Sequence, residues 1–369
     1  MRLFAVLVLC GCQSTPGLFR GPDTYDVTQN PTGLAAGDFD GDGIADVAVI
    51  SENDAEGIAQ LDVLRGNGHG GFARISSEEL TEAPAGVVAA DIDHDSHTDV
   101  VVSCFDDEGA LPLTVLYGRG DGTFDPSQKI LDGYPVGIMA TGDLDEDGTI
   151  DLIVANQNEL GTPAGFEIYF GPDLARRTSV DSTTLQLAVG DVNEDGHLDL
   201  VSADGVHVGA GDGTFASSLA LDASVAPADG TGLELADLDR DGHLDLTYAV
   251  SGMRQIAVLW GAGVGHFGQA ATFAVMNTLP RPIVSGDFDQ DGETDLAVGG
   301  WDQNGLVHES VVSVLRGLGN RLFDVPMAGV HVDTGTANAL LAIDLDDNGA
   351  PDLVGTDQSA DTISVLMAP

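Results

Sequence analysis

The sequence predicts an all-β chain: a seven-bladed β-propeller of four-stranded antiparallel blades, with the N-terminal strand completing the last blade. Three observations carry this. An acidic ten-residue loop recurs seven times at intervals of about 50 residues. Apolar runs of strand length, rich in Val, Ile and Leu, flank each copy, and helical periodicity of useful length appears nowhere. The last repeat ends one strand short, while an orphan strand stands near the start.

The first loop is GDFDGDGIAD, residues 37–46, with Asp38, Asp40, Asp42 and Asp46 at positions 1, 3, 5 and 9 of DxDxDGxxD. Carboxylates at alternate positions of a tightly curled backbone point inward, which suits a hard cation taking six to eight oxygens. Gly43 permits the turn, and the position-7 carbonyl of Ile44 offers a further oxygen. The second loop repeats this with Asp91, Asp93, Asp95, the carbonyl of His97, and Asp99, but has Ser96 where glycine is usual, so its turn is expected to be strained. In the third the set is Asp143, Asp145, Asp147, Thr149 and Asp151; in the fourth, Asp191, Asn193, Asp195, His197 and Asp199. Asp237, Asp239, Asp241, His243 and Asp245 form the fifth, and Asp287, Asp289, Asp291, Glu293 and Asp295 the sixth. The seventh has Asp344, Asp346, Asn348, Ala350 and Asp352. Asn193 and Asn348 each keep an oxygen ligand and lose a charge. His97, His197 and His243 would bind through the backbone, with their rings turned to solvent. Together the loops imply up to seven Ca²⁺.

An EF-hand would place Glu at position 12 and continue as a helix. Here position 12 holds Val49, Val102, Val154, Ser202, Tyr248, Val298 and Gly355, and the sequences after the loop are strands such as DVAVIS and DLIVAN. The loop therefore joins two strands, A and B. Strand C follows as LDVLRG, LTVLYG, FEIYFG, GVHVG, IAVLWG, VSVLRG and ISVLM. A glycine turn ending in Phe, as in GRGDGTF, then opens strand D; the third repeat has GPDLARRT (171–178) in its place. In the fourth, the connection from B to C shrinks to a hairpin at Asp204 and Gly205. Residues 18–30, beginning near Phe19, have the character of a D strand, and pairing them beside 362–367 closes the ring and removes two exposed edges.

The opening MRLFAVLVLCGC stands outside the fold. Its short apolar run followed by Leu9, Cys10, Gly11 and Cys12 resembles a bacterial lipobox, which implies lipidation at Cys12, with residues 1–17 as signal and tether and 18–369 as the propeller. The alternative is an ordinary buried strand. Seven apolar residues cannot span a bilayer. A lipidated Cys12 would put the protein in the cell envelope, at the outer membrane in a diderm cell. Cys104 lies in an apolar strand, and neither a disulfide framework nor a zinc spacing is present.

With its DxDxDGxxD loops and GxGDGTF turns, the chain resembles the FG-GAP/VCBS repeat family, the propellers of integrin α-subunits and of many bacterial surface proteins. The bacterial VCBS type is the closer match, because all seven repeats carry the loop. That family includes adhesion modules, lectins and a few lyases, so the resemblance implies a fold and calcium rather than one activity.

Charge excludes nucleic acid: 60 acidic residues against 13 basic ones give −47, the wrong sign for a phosphate backbone. No GxSxG, HExxH or GxxxxGK motif is present. In a meander, A–B loops and C–D turns share one face, while B–C and D–A connections share the other. These latter connections vary in length, as recognition loops on rigid scaffolds do. Trp301, Phe105, Tyr134 and Arg281, assigned to them, are the candidate anchors for a protein or glycan partner. The expected function is non-catalytic binding or adhesion; the rival is a polysaccharide lyase or hydrolase using acids near the channel.

Overall fold

A computed structural model describes residues 18–369, apart from 54–57, 81, 106–111, 126–127, 131–134, 158–160, 217–218, 222–231, 251–252, 277–278, 303–308, 325–329 and 332–337. Cys12, the 1–17 segment and Tyr134 thus lie outside the described residues.

Every described element is a strand, and the strands form seven antiparallel sheets. Blade one shows the rule, with strand A at Pro31–Gly37, B at Asp46–Asn53, C at Ile58–Gly66 and D at Phe72–Leu80, hydrogen-bonded in that order. The A strands are innermost. Those of blades two to seven are Ala83–Ala90, Pro135–Gly142, Ala188–Gly190, Leu233–Ala236, Leu279–Gly286 and Leu340–Ile343, and each touches the A strand on either side, so the ring is continuous.

The ring closes as the sequence leads one to expect. Arg20–Asp26 pairs antiparallel with Thr362–Met367, from Arg20 opposite Met367 to Asp26 opposite Thr362. Buried Asp62 of blade one then fastens the closing strand's exit, accepting the Thr28 N–H at 2.8 Å together with bonds from the Ser77 hydroxyl and Arg74.

Apolar side chains form seven clusters, each made by two adjacent blades. The first joins Ile50 and Leu61 of blade one to Val100 and Val102 of blade two; the seventh joins Val354 and Ile363 to Val47 and Val49. A B strand therefore packs on both faces. Val47, Ala48, Val49 and Ile50 are all 0% exposed, and for this reason these strands read as unbroken apolar runs rather than alternating ones.

Blade four departs from the four-strand rule, with only three named strands among the described residues. Its D segment is reduced to the bridges Val206–Leu219 and Gly209–Phe215, because strand C is only Gly205–His207. Ser202 pairs with Gly205, so the hairpin turn is Ala203–Asp204, one residue earlier than expected.

Three candidate partner residues sit in strands rather than loops. Phe105 pairs with Ala83 at the end of strand B of blade two, Trp301 pairs with Leu279 in blade six, and Arg281 lies within the A strand Leu279–Gly286. The runs around them are extended by pairing that composition alone does not reveal. Their side chains are outside the described residues.

Candidate metal centres

Each A–B loop is pinned to the core from two directions. Position 2 is an apolar wedge: Phe39, Ile92, Leu144, Val192, Leu238, Phe288 and Leu345 are all buried. Position 9 is an aspartate at 0% exposure in every blade: Asp46, Asp99, Asp151, Asp199, Asp245, Asp295 and Asp352. In blade one the Asp46 carboxylate accepts the Phe39 N–H at 3.0 Å and the Gly66 N–H at 2.8 Å, so it ties its own loop to the end of strand C. The same pair of bonds recurs in all seven blades, with Ala368 as the strand-C donor in the last. Glycine is required at Gly66 because a β-carbon there would stand 2.2 Å from the Ala45 carbonyl oxygen.

Position 1 orders the curl. Asp38 accepts the N–H groups of Gly41, Asp42 and Gly43 at 2.8, 3.2 and 2.9 Å, and position 5 caps position 7, as where Ile44 N–H donates to Asp42 at 2.9 Å. Positions 4 and 6 are left-handed in every loop, including Glu146, Arg240 and Ser96, the last at φ 74°. Ser96 thus occupies a conformation that favours glycine, as its place in the pattern suggested.

The carboxylates converge. Asp38, Asp40 and Asp42 bring oxygens within 4.8 Å of one another, as do Asp287, Asp289 and Asp291; in blades two, three and five the set is positions 1, 3 and 9, namely Asp91, Asp93 and Asp99, Asp143, Asp145 and Asp151, and Asp237, Asp239 and Asp245. Such clusters could hold a metal ion. The fit is tested at position 3, where Asp145 and Asp346 each bury an Oδ1 with no hydrogen-bond partner. A buried carboxylate oxygen without a donor is costly, and a cation would satisfy it. At positions 3 and 5 of the fourth loop, Asn193 Oδ1 accepts the Asp195 N–H at 2.8 Å, so asparagine keeps the local geometry. Asn348 likewise accepts the Ala350 N–H at 2.7 Å.

Electrostatics follow from burial. Loss of solvent, reinforced by neighbouring loop carboxylates, pushes the position-9 carboxyl up to about 6 at Asp46, Asp99, Asp151 and Asp245, and to about 7 at Asp295. Asp199 and Asp352 move the same way for the same reason.

The histidine rings stay partly in solvent, at 42, 34 and 33% side-chain exposure for His97, His197 and His243, and each also meets a carboxylate. His197 Nδ1 meets Glu146, at position 4 of the preceding loop, and His243 Nδ1 meets Glu194 in the same relation. His97 Nδ1 contacts Asp95 in its own loop at 3.1 Å. Left-handed position 4 aims its side chain at the next blade, which brings residues 51 and 49 apart in sequence together.

Four arginines that the loop pattern does not predict also reach these sites, always at Oδ2 of position 3. Arg65 stands 3.7 Å from Asp40 and Arg316 3.6 Å from Asp289, while Arg176 pairs with Asp145 and Arg321 with Asp239. Arg321 comes from the C–D turn of blade six and lies over the Trp260 ring of blade five. C–D turns also dock on the preceding loop through backbone, as where Gly122 N–H donates to the Phe39 carbonyl at 2.9 Å.

These features define a class: a seven-bladed β-propeller whose blades are each headed by an acidic, metal-type A–B loop. The FG-GAP-like repeat model matches residues 38–102 and 191–248, so these two stretches carry FG-GAP-like repeats, and with the seven-bladed fold they support the FG-GAP propeller family. Its fold is similar to that of the WD40 domain from Toxoplasma gondii coronin, at 12% identity and a TM-score of 0.56, over 95% of this chain and 86% of that one. The GH43_1 enzyme from Xanthomonas citri aligns over 85% of this chain and 96% of its own at 14% identity, but its TM-score of 0.43 is too low to argue from. No curated protein matches the chain.

Proposed function

We propose that the protein is a calcium-stabilised, non-catalytic binding scaffold of the cell envelope, lipid-anchored through Cys12, in the manner of bacterial VCBS propellers. Its loop face would be presented to a protein or glycan. The observation that carries this reading is the repetition of the position-9 linkage in all seven blades, which makes every A–B loop part of the blade framework rather than a free acidic turn. Calcium suits the donor set, because carboxylates and carbonyls are hard oxygens and a nine-residue curl offers more than the six that Mg²⁺ accepts. Bound there, the ion would neutralise the clustered aspartates. Positions 1, 3, 5 and 9 would supply carboxylates, position 1 also ordering the loop, and the position-7 carbonyl would complete the set.

With one face fixed in this way, the B–C and D–A connections are the variable surface on a rigid support. On the inner strands the only carboxylate among the described residues is Glu234, which accepts both the N–H and the hydroxyl of Ser285, at 3.1 and 2.6 Å. A pull-down and glycan-array screen with the chain lacking residues 1–17, with and without Ca²⁺, tests the reading. Calcium-dependent capture of a surface protein or glycan supports it. Turnover of a polysaccharide by the same preparation overturns it.

A further inference from the structure

The C–D turns of blades one, two and four read GNGHGGF, GRGDGTF and GAGDGTF, whereas those of blades five and six read GAGVGHF and GLGNRLF. Val264 stands where blades two and four have Asp121 and Asp212, Leu318 where Asn67 and Arg119 stand, and Leu322 where Thr123 and Thr214 do. Several of those polar groups have local work: Asn67 accepts the N–H groups of His69 and Gly71, and Asp121 and Asp212 accept those of Thr123 and Thr214. Their apolar counterparts have none. Val264, Leu318 and Leu322 are 60, 53 and 59% exposed, three of the four large hydrophobic residues more than half in solvent among the described residues. The blade-six turn is rigid, because Leu318 N–H donates to the Leu322 carbonyl at 2.9 Å and Arg321 pairs with Asp239. Its two leucines are therefore held as neighbours in water, against the pull of burial.

The chain enters the fold beside this turn. Phe19 packs on Phe288 with ring centroids 5.7 Å apart, and Leu18 is buried in the same cluster. Asp295 joins Phe288 to the turn, accepting the Phe288 N–H at 3.0 Å on one oxygen and the Gly317 N–H at 2.7 Å on the other. Leu18 thus lies on the face of the A–B loops and C–D turns, next to blade six. Five residues separate it from Cys12, a reach of about 20 Å at full extension. The closing strand Arg20–Asp26 carries the chain to the other face over seven residues, about 23 Å, with the B–C connections beyond it. A lipid at Cys12 therefore holds the loop face toward the bilayer, since the tether is too short for the opposite face to rest there.

Resting on the reading that Cys12 carries the lipid, we propose that the C–D turns of blades five and six are the surface on which the anchored protein meets the membrane, with Leu318, Leu322 and Val264 entering the interfacial zone of the bilayer. The place of the patch beside the tether favours lipid as its occupant, because a bilayer within about 20 Å of Leu18 is already in reach. Arg316 and Arg321 flank the leucines and offset the loop carboxylates Asp289 and Asp239, so the rim of the patch is not bare acid. Three half-exposed aliphatic side chains are too few to hold a protein at a bilayer by themselves. The lipid attaches, and the patch orients. Docked in this way, the B–C and D–A connections point away from the membrane, which is the side on which a partner would be met.

Tryptophan emission tests this in the protein recovered with its lipid and placed, in Ca²⁺, on phosphatidylcholine vesicles with brominated chains, a neutral surface that does not repel a chain at −47. The emission added by Leu322→Trp should shift to the blue and lose most of its intensity to the bromine. That added by Met253→Trp, exposed in the B–C connection of blade five, should keep its intensity. Combining Leu318→Asp with Leu322→Trp should restore the emission at an unchanged melting temperature, because both positions are exposed. Mass spectrometry of the N-terminus is read first, and an unlipidated chain overturns the anchor and this proposal together. With the lipid in place, quenching of neither reporter, or equal quenching of both, overturns the docking and leaves the anchor standing. Self-association of Cys12→Ala in solution that Leu322→Asp abolishes would assign the patch to a second copy of the chain and overturn the proposal too.

Discussion

Arg176 holds one carboxylate oxygen of Asp145 and leaves the other buried without a partner. The guanidinium is the outer counter-charge of a carboxylate that belongs to the cluster Asp143, Asp145 and Asp151. Removing the arginine deletes an exposed ion pair, worth about 0.5–1 kcal/mol, and leaves the third loop more negative. Arg176→Ala should therefore lower the melting temperature in EDTA more than in Ca²⁺, widening the gap between the two. Differential scanning calorimetry reads this directly, and a narrower gap would mean that the arginine supports the metal-bound state more than the metal-free one.

Ser96 adopts φ 74° where four complete-carboxylate loops have glycine. A side chain there costs about 1 kcal/mol or more, partly offset by the freedom glycine has in the unfolded chain. Ser96→Gly should stabilise the protein by about 0.5 kcal/mol in urea titration. A loss of stability would show that the serine side chain makes a compensating contact.

The raised position-9 carboxyls give a pH signature. Their folded pKa values, up to about 6 and, for Asp295, about 7, lie above the unfolded value of 3.8. In metal-free protein their protonated forms favour the fold below pH 3.8, and this contribution is lost as pH rises through 6 to 7. Calcium bound as proposed would compete with those protons. The melting-temperature gain from Ca²⁺ should thus be largest above pH 7 and shrink as pH falls through about 6; a gain independent of pH between 5 and 8 would contradict the assignment.

Anchoring is tested at Cys12. Its replacement by Ala should leave a protein without N-terminal lipid that no longer partitions with membranes, as read by mass spectrometry and detergent partitioning. An unmodified wild type would end the lipoprotein reading.

Repeats made most of the fold legible. DxDxDGxxD fixed the loops, the strands around them followed, and the missing last strand pointed to the pairing of Arg20–Asp26 with Thr362–Met367. What lay across blades was harder to read. His197 and His243 look like solvent-facing loop residues until position 4 of the preceding repeat is set beside position 7, where Glu146 and Glu194 wait. Arg321 reaches Asp239 from 82 residues away, a contact no local pattern carries. A usable signal existed for the position-2 wedge, since Phe39, Ile92, Leu144 and their counterparts are all apolar.

Calcium-dependent stability is the central claim. A site that binds only the folded state stabilises it by RT ln(1 + [L]/Kd), about 1.4 kcal/mol at roughly 1 mM Ca²⁺ for a Kd of about 10⁻⁴ M. Seven independent sites would reach about 10 kcal/mol, comparable to the net stability of a domain. The most direct measurement is the melting curve before and after chelation, with metal analysis confirming removal. EDTA should lower the midpoint by about 10 °C or more, or abolish the cooperative transition. Ca²⁺ should restore it, and Mg²⁺ at equal concentration should do so poorly. Superimposable curves with and without EDTA would show that the loops are turn chemistry alone.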